Sequence, residues 1–346
     1  VSQTPISYRD AGVNIGAQDE ALRRAKSAIR ASFTPGVMAD VGLFGGLFDP
    51  AKVGAGNTVL VASADGVGTK LEIAKRAKIY DTVGRDLVQH CINDILCQGA
   101  YPLFFLDYVG TGVLEPALVS GLIEGCAKAC QTHGLALLGG ETAEMPGMYQ
   151  NGDFDLVGFI VGAVERENIL DGSRVRPGQR LIGMASDGLH TNGYSLARKL
   201  IFERFGLNLS DRPRELGGQS VQDALLAPHR CYLKALRPLI VEKRLAAWAH
   251  ITGGGLPGNV NRVLGQTDAW IDRGAWKLPG LFQLLTRDGA VERDEAYRAF
   301  NMGVGAVLLV EPKEVEPVLR HLKASGESAF EMGEVKSGTG IVRYSS

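Results

Sequence analysis

The chain carries no surplus charge of either sign. Its 37 basic and 38 acidic residues leave a formal net charge of −1. The strong basic field behind sequence-independent binding of nucleic acid is therefore absent. No apolar run reaches the length of a membrane span. Val1 to Asp10 are polar and lack the apolar stretch of a secretory leader, so the expected setting is the cytoplasm. Cysteine is sparse: Cys91, Cys97, Cys126, Cys130 and Cys231 make an odd count with no C-x-x-C pair. That argues against a disulfide framework and against a zinc site. Cys126 and Cys130, one helical turn apart in an apolar stretch, read as small buried residues of a helix. The P-loop pattern G-x-x-x-x-G-K-[ST] occurs nowhere, and there is no short-period repeat or low-complexity tract.

Glycine, in contrast, is abundant, with 45 in 346 residues. Many of these glycines cluster where strand-like runs end. Loops that handle phosphate need that placement, because glycine lets backbone N–H groups approach an anion closely. A chain of this length is comfortable as two domains. Its 45% hydrophobic and 22% charged content can supply both core and surface.

Strand-like and helix-like segments alternate. Thr58 to Ala64, Leu103 to Val109, Leu135 to Leu138 and Phe154 to Val164 read as strands. Asp81 to Gln98 and Leu114 to His133 read as helices. The polar stretch Asp171 to Arg180, rich in Gly and Pro for its length, interrupts the pattern and is placed as a domain boundary. Beyond it, Leu181 to Ala185 and Gly305 to Val310 read as strands. Gly193 to Phe205, Val221 to Leu245 and Glu314 to Ala324 read as helical. The fold class expected is α/β or α+β, with domains over 1–170 and 171–346.

On the helix from Asp81, the residues Leu87, Val88, Cys91, Ile92, Ile95 and Leu96 form an apolar stripe, and Asp86, His90 and Asp94 lie along another face. Asp94, at the stripe's margin, is the one expected to lose solvent. Asp86 and Asp94 are separated by roughly 12 Å of helix axis, too far to chelate one ion together.

Four segments carry chemistry. Asp65-Gly66-Val67-Gly68-Thr69-Lys70 follows a strand: the carboxylate suits a hard cation, the glycines free the backbone, and Thr69 and Lys70 can reach phosphate. Taken alone, a segment of this kind is more often a decorated turn than a site. Gly139-Gly140-Glu141-Thr142-Ala143-Glu144 places two acids beside a flexible pair, and alone would read as a tight turn with solvated acids. Ser186 to Gly193, containing His190 and Asn192, precedes a helix and suits an anion; a single loop histidine is more often merely exposed. His250-Ile251-Thr252-Gly253-Gly254-Gly255-Leu256-Pro257-Gly258 satisfies G-x-G-x-x-G, with Asp272 as a possible ribose acid. The spacing is short and the motif lies deep in the chain, so another kind of phosphate loop fits it better.

In this order, the segments SYRDAGV (Ser7 to Val13), VASADGVGTKL, CINDILCQGAYPLFFLDY, LLGGETAEMPGMY, SDGLHTNGYSL, HITGGG and RAFNMGVG (Arg298 to Gly305) resemble the phosphoribosylformylglycinamidine cyclo-ligase family. The resemblance covers nearly the whole chain; Asn14, where the family often has an acid, is the departure. It implies a two-domain protomer whose N-terminal mixed sheets pair in a homodimer, with ATP and Mg²⁺ bound in that region. It implies ATP-dependent closure of formylglycinamidine ribonucleotide to aminoimidazole ribonucleotide, with release of ADP and phosphate. On its motifs, Asp65, Asp94 and Glu141 would hold the metal, and Asp65, Lys70 and His190 would serve the chemistry. Lys26, Gly66, Gly68, Thr69, Lys70, Asp86, Gly139 and Gly140 would join the metal carboxylates around the nucleotide. His190, Asn192, Thr252, Gly253, Gly254 and Gly255 would hold the substrate. The readings that compete are an ATP-using relative of the same superfamily, a dinucleotide-dependent oxidoreductase built on the Gly253 loop, and a non-catalytic nucleotide-binding protein.

Overall fold

The computed structural model describes residues 5–7, 10, 35, 37–38, 46–53, 56 and 58–345. The first half runs β1 (Gly46–Phe48), β2 (Val59–Gly66), one helical turn at Gly68–Lys70, α1 (Leu71–Ala77), α2 (Asp81–Leu96), β3 (Tyr101–Thr111), α3 (Pro116–His133), β4 (Ala136–Glu144) and β5 (Phe154–Val164). Its strands form one sheet in the order β1-β2-β5-β3-β4. The β3–β4 pair is parallel and the other pairs are antiparallel.

Side-chain alternation decides which face is covered. Along β5, Phe154, Leu156, Gly158, Ile160, Gly162 and Val164 are buried while the alternate residues are partly or fully exposed. The buried set meets the apolar stripe of α2, in which Val83, Leu87, Val88, Cys91, Ile92 and Ile95 lose all solvent contact. Helices α2 and α3 approach backbone to backbone. A Cβ at Gly84 would sit 2.3 Å from the Leu122 carbonyl oxygen, and one at Gly125 would sit 2.2 Å from that of Asp81. Among the described residues no helix covers the opposite face of the sheet, which carries apolar side chains: Phe159 is 44% exposed there, and Ala62, Ala64 and Leu106 lie on the same side by register.

The second half runs β6 (Arg180–Ala185), α4 (Tyr194–Arg198), α5 (Val221–Leu225), α6 (Leu233–Val241), β7 (Ala247–His250), α7 (Gly255–Val260), β8 (Thr267–Asp272), α8 (Gly280–Thr286), α9 (Arg293–Ala299), β9 (Val304–Val310), α10 (Val315–Ala324), β10 (Ala329–Ser337) and β11 (Val342–Ser345). The sheet order is β11-β8-β10-β6-β9-β7. Only the β11–β8 pair is parallel. Every residue of β9 is buried, which explains its unbroken apolar run.

Three local readings change. Val221 to Leu245 is two helices, not one. Pro228 cannot donate a backbone hydrogen bond and turns Ala227 away from helical geometry, and the N–H of His229 is given to the Asp86 carboxylate instead, at 2.7 Å. The strand expected to end at Leu138 continues to Glu144, because its ladder with β3 persists through the glycine pair. Gly140 is required there by packing, since a Cβ would fall 2.5 Å from the Asp107 carbonyl oxygen. The helix expected over Gly193 to Phe205 is α-helical only to Arg198 and widens to a π-helical turn over Lys199–Arg204.

The two halves are joined through α2. The side chain of Asn93, fully buried, donates to the Arg230 carbonyl at 2.8 Å and accepts the Tyr232 N–H at 2.9 Å. The indole of Trp248 donates to the Leu96 carbonyl at 3.0 Å. Among the described residues no helix is long and apolar enough to cross a membrane.

Candidate functional site

The polar interior of the molecule lies where these joints meet. Asp65 closes β2 and turns its carboxylate to the α2 side of the sheet. There its Oδ2 lies 2.6 Å from Nε2 of His90, on α2. Asp94, one turn further along α2, approaches the same nitrogen at 3.4 Å and accepts from Nδ1 of His250 at 2.8 Å. His250 ends β7, and its Nε2 faces Nε2 of His229 at 2.9 Å. The loop after β6 closes the circuit: Thr191 Oγ1 lies 2.7 Å from Nδ1 of His90 and 3.4 Å from Nδ1 of His229. His190 stacks on His229 with ring centroids 4.1 Å apart. All four histidines are buried, whereas the Asp65 side chain is 39% exposed. Asp65 is thus the group that connects this interior to solvent.

Charge follows from these contacts. Burial opposes protonation of His90, but the carboxylates of Asp65 and Asp94 outweigh it and hold the imidazole well above the usual histidine range. Burial likewise works against the Asp94 carboxylate, and the His90 charge with the His250 hydrogen bond reverses the balance and lowers its pKa. His190 and His229 have no such partner. Burial, reinforced by the neighbouring cationic groups, pushes both well below the usual range. For His250, burial outweighs the help of Asp94 and the net direction is down.

A second buried pair stands beside this one. Lys70 and Asp86 are both fully buried, with Nζ 2.6 Å from Oδ2, and Lys70 also donates to the Ala227 carbonyl at 2.8 Å. Burial drives the lysine pKa down and the aspartate pKa up, and each partner's charge offsets the other's shift. Lys70 and Asp86, expected at the nucleotide, have these partners within the protein. They bond to each other and to the Ala227–His229 segment, fastening the turn after β2 to the second half.

The remaining expected residues divide clearly. Thr69 is exposed, and its hydroxyl lies 3.0 Å from that of Ser195, so the Asp65 turn and the His190 loop are neighbours. Gly68 holds a positive φ of 65°. Asn192 packs on Gly253, where an added Cβ would sit 3.1 Å from Asn192 Oδ1. The loop from Thr252 to Gly255 is organised by Asn259, which receives a hydrogen bond from the Thr252 hydroxyl and donates to the carbonyls of Thr252, Gly253 and Gly255. His190 is buried, and its Nε2 accepts the N–H groups of Asp187 and Arg230 at 3.2 and 3.4 Å. It does not reach the solvent-open side where Asp65 stands. Gly139, Gly140 and Glu141 lie on β4, the far edge of the first sheet. Glu141 aligns with Tyr108, Val157 and Gly66 across the ladder. It is three strand spacings, roughly 14 Å, from the end of β2, and points to the face opposite Asp65. One ion cannot take both within a protomer. Lys26 lies outside the described residues.

Sequence reasoning did not single out His90, Thr191 and His229 as site residues. His90 alone had a local signal, its i, i+4 spacing between Asp86 and Asp94. Asp65 and Asp94 converge on a single atom, His90 Nε2, which brings two carboxylates close enough together to serve one cation.

The fold also decides the G-x-G-x-x-G question. In a dinucleotide unit the strands before and after the glycine helix are parallel neighbours in one crevice. Here β7 and β8 lie at opposite sides of the sheet order, and among the described residues β7 pairs with β9 alone. The oxidoreductase reading is excluded on topology.

Comparison with known proteins settles the family. Residues 47–164 match the AIR synthase related protein N-terminal domain, and residues 176–345 match the AIR synthase related protein C-terminal domain. A phosphoribosylformylglycinamidine cyclo-ligase of Geobacter sulfurreducens is 50% identical over 331 residues, covering 95% of each chain. One of Trichlorobacter lovleyi is 46% identical over 338 residues, covering 97% of each. The chain belongs to the phosphoribosylformylglycinamidine cyclo-ligase family. Solved structures share the cyclo-ligase chain's fold at much lower identity. A thiamine-monophosphate kinase from Stenotrophomonas maltophilia superposes with a TM-score of 0.67 at 19% identity, covering 94% of this chain and 95% of that one. The hydrogenase maturation protein HypE in complex with ATP gives 0.62 at 17%, covering 96% and 92%. These two likenesses concern the fold of the cyclo-ligase chain and not its chemistry.

Proposed function

We propose that this cyclo-ligase closes formylglycinamidine ribonucleotide to aminoimidazole ribonucleotide where the Asp65 turn, α2 and the His190 and Gly253 loops meet, and that ATP drives the reaction in purine biosynthesis. The observation that carries this reading is the match to relatives named for that activity, at 46–50% identity over 95–97% of the chain. The chemical need is plain. An amide oxygen is a poor leaving group, so the formyl oxygen must be activated before the ring can close. Transfer of the γ-phosphoryl group to that oxygen makes a phosphate leaving group. A substrate nitrogen then attacks the same carbon, and inorganic phosphate departs. Most of the catalytic advantage comes from positioning and from neutralising phosphate charge.

Asp65 and Asp94 are assigned to Mg²⁺, which supplies charge neutralisation at the phosphates when bound. Thr69 and the backbone at Gly66 and Gly68 contact phosphate. Lys70 and Asp86 fix that turn rather than touching the nucleotide. Glu141, Gly139 and Gly140 are assigned to the nucleotide and not to the Asp65 cation. Asn192 and the Thr252–Gly255 loop hold the substrate. His190 acts as a positioning residue, tying the backbone of Asp187 to that of Arg230. The ATP complex of HypE, a fold neighbour, supports nucleotide binding. A homodimer through the open face of the first sheet accounts for exposed Phe159 and its apolar neighbours. Phe159→Glu should then give a monomer in sedimentation; an unchanged mass would remove that interface. A cytoplasmic setting suits an ATP-consuming enzyme with five free cysteines.

The direct test supplies purified protein with formylglycinamidine ribonucleotide, ATP and Mg²⁺ and measures the aminoimidazole product colorimetrically. Wild type should make product, and Asp65→Asn should lose turnover while still unfolding in one cooperative transition above the assay temperature. Full activity in that variant would refute the metal assignment.

A further inference from the structure

The two carboxylates assigned to Mg²⁺ do not stand among oxygens. His90, Asp94 and His250 are all buried and present donor atoms within 4.8 Å of one another. Asp65 joins them through its 2.6 Å approach to His90 Nε2. The other contacts in the group are 2.8 Å, His250 Nδ1 to Asp94, and 3.4 Å, His90 Nε2 to Asp94. Donors around one tetrahedral ion with bonds of roughly 2.0–2.1 Å lie roughly 3.3 Å apart. An ion entering here would open the two closest contacts by tenths of an ångström and replace the protons now between them.

We propose that His90, Asp94 and His250, with Asp65 at their solvent side, form a binding site for a borderline transition-metal cation of the Zn²⁺ or Co²⁺ class. The inference rests on the reading of Asp65 and Asp94 as cation-holding carboxylates and extends their site to two imidazoles. The donor chemistry carries it. Two imidazole nitrogens with carboxylates match Zn²⁺ and Co²⁺, whereas Mg²⁺ favours oxygen alone. The outer nitrogens are already engaged, as they are in metal sites whose ligands are oriented from behind. Nδ1 of His90 meets Thr191 Oγ1 at 2.7 Å, and Nε2 of His250 meets Nε2 of His229 at 2.9 Å. Partly exposed Asp65 gives a route of entry. An ion held here occupies both carboxylates that the nucleotide's Mg²⁺ requires, so the class of ligand named is also a class of inhibitor.

The test uses chelator-treated full-length enzyme titrated with Co²⁺ and followed by visible absorption. One Co²⁺ per chain with the intense bands of tetrahedral, nitrogen-containing ligation is expected. Zn²⁺ should bleach the bands and excess Mg²⁺ should leave them. His90→Gln and His250→Gln should each weaken Co²⁺ binding roughly tenfold or more, and His321→Gln, on α10 away from the site, should not. Weak pink-type spectra of six-coordinate oxygen ligation, or displacement by Mg²⁺, overturn the proposal in the wild-type protein without recourse to any variant. Histidine variants that bind as tightly as wild type also overturn it. If Mg²⁺ displaces Co²⁺ and only Asp65→Asn and Asp94→Asn matter, the Mg²⁺ reading stands and this one falls. If histidine-dependent Co²⁺ binding holds while Mg²⁺ has no effect on ATP binding, the Mg²⁺ reading alone falls.

Discussion

Asn93→Ala should loosen the junction between the two halves more than any surface change of similar size. The Asn93 side chain is fully buried and answers two backbone groups of the second half, the Arg230 carbonyl and the Tyr232 N–H. Alanine leaves both without a partner inside the protein. Each orphaned group costs about 1–3 kcal/mol, and relaxation or an entering water recovers some of this. A net loss of about 2–4 kcal/mol follows. With an unfolding entropy of about 2.1 cal/mol/K per residue, 1 kcal/mol corresponds to about 1.4 °C in a chain of this length, so Tm should fall by roughly 3–6 °C. The loss has a functional side, because the freed segment carries His229 and Arg230. Calorimetry with a urea titration at fixed temperature reads the stability, and the product assay reads the rest. Gln131→Ala, at an exposed position of α3, is the control and should stay within about 0.5 kcal/mol of wild type. A fall in Tm no larger than that of the control would show that the junction does not depend on Asn93.

The buried Lys70–Asp86 pair predicts an asymmetry. Lys70→Met leaves the Asp86 charge without its partner and should cost about 3–5 kcal/mol, while the double change to Met and Leu should recover much of that; equal losses in urea unfolding would contradict it. Stability against pH should peak near neutrality in the presence of a chelator. His190, His229 and His250 have lowered folded pKa values, so the unfolded chain binds more protons than the native one below about pH 6.5. Stability should therefore decline on the acid side by about 1.4 kcal/mol per pH unit for each histidine involved. His90 has a raised folded pKa. Its contribution is complete below the unfolded value and is lost as pH rises through the folded one, which gives a shallower alkaline decline. A profile flat from pH 5 to pH 8 would refute the histidine accounting.

Regular apolar spacing made the large elements legible. The alternation of Phe154 to Val164 and the stripe on the Asp81 helix gave strand and helix almost to the residue, because each buries one face against one layer. Where burial is complete, spacing says little: β7 is four buried residues without alternation. The break at Pro228 could have been read from its missing N–H, but the apolar residues on either side masked it. Asp65 and Asp94 were named from their motifs and both approach His90 in the structure, yet nothing local announced that His250 would meet Asp94 across 156 positions, or that His229 would give its N–H to Asp86 across 143. Lys70 shows how packing adds to a local reading. In sequence it looks like a phosphate ligand, and only the packing of Asp86 and Ala227 around it shows where its charge is held.

The central claim is that ATP activates the formyl oxygen so that the ring can close, and isotope transfer tests it most directly. Formylglycinamidine ribonucleotide labelled with ¹⁸O in the formyl group would be converted with unlabelled ATP, and the phosphate released would be weighed by mass spectrometry. The account predicts aminoimidazole product together with phosphate that carries the formyl ¹⁸O. Product with unlabelled phosphate, or no product at all, would contradict it.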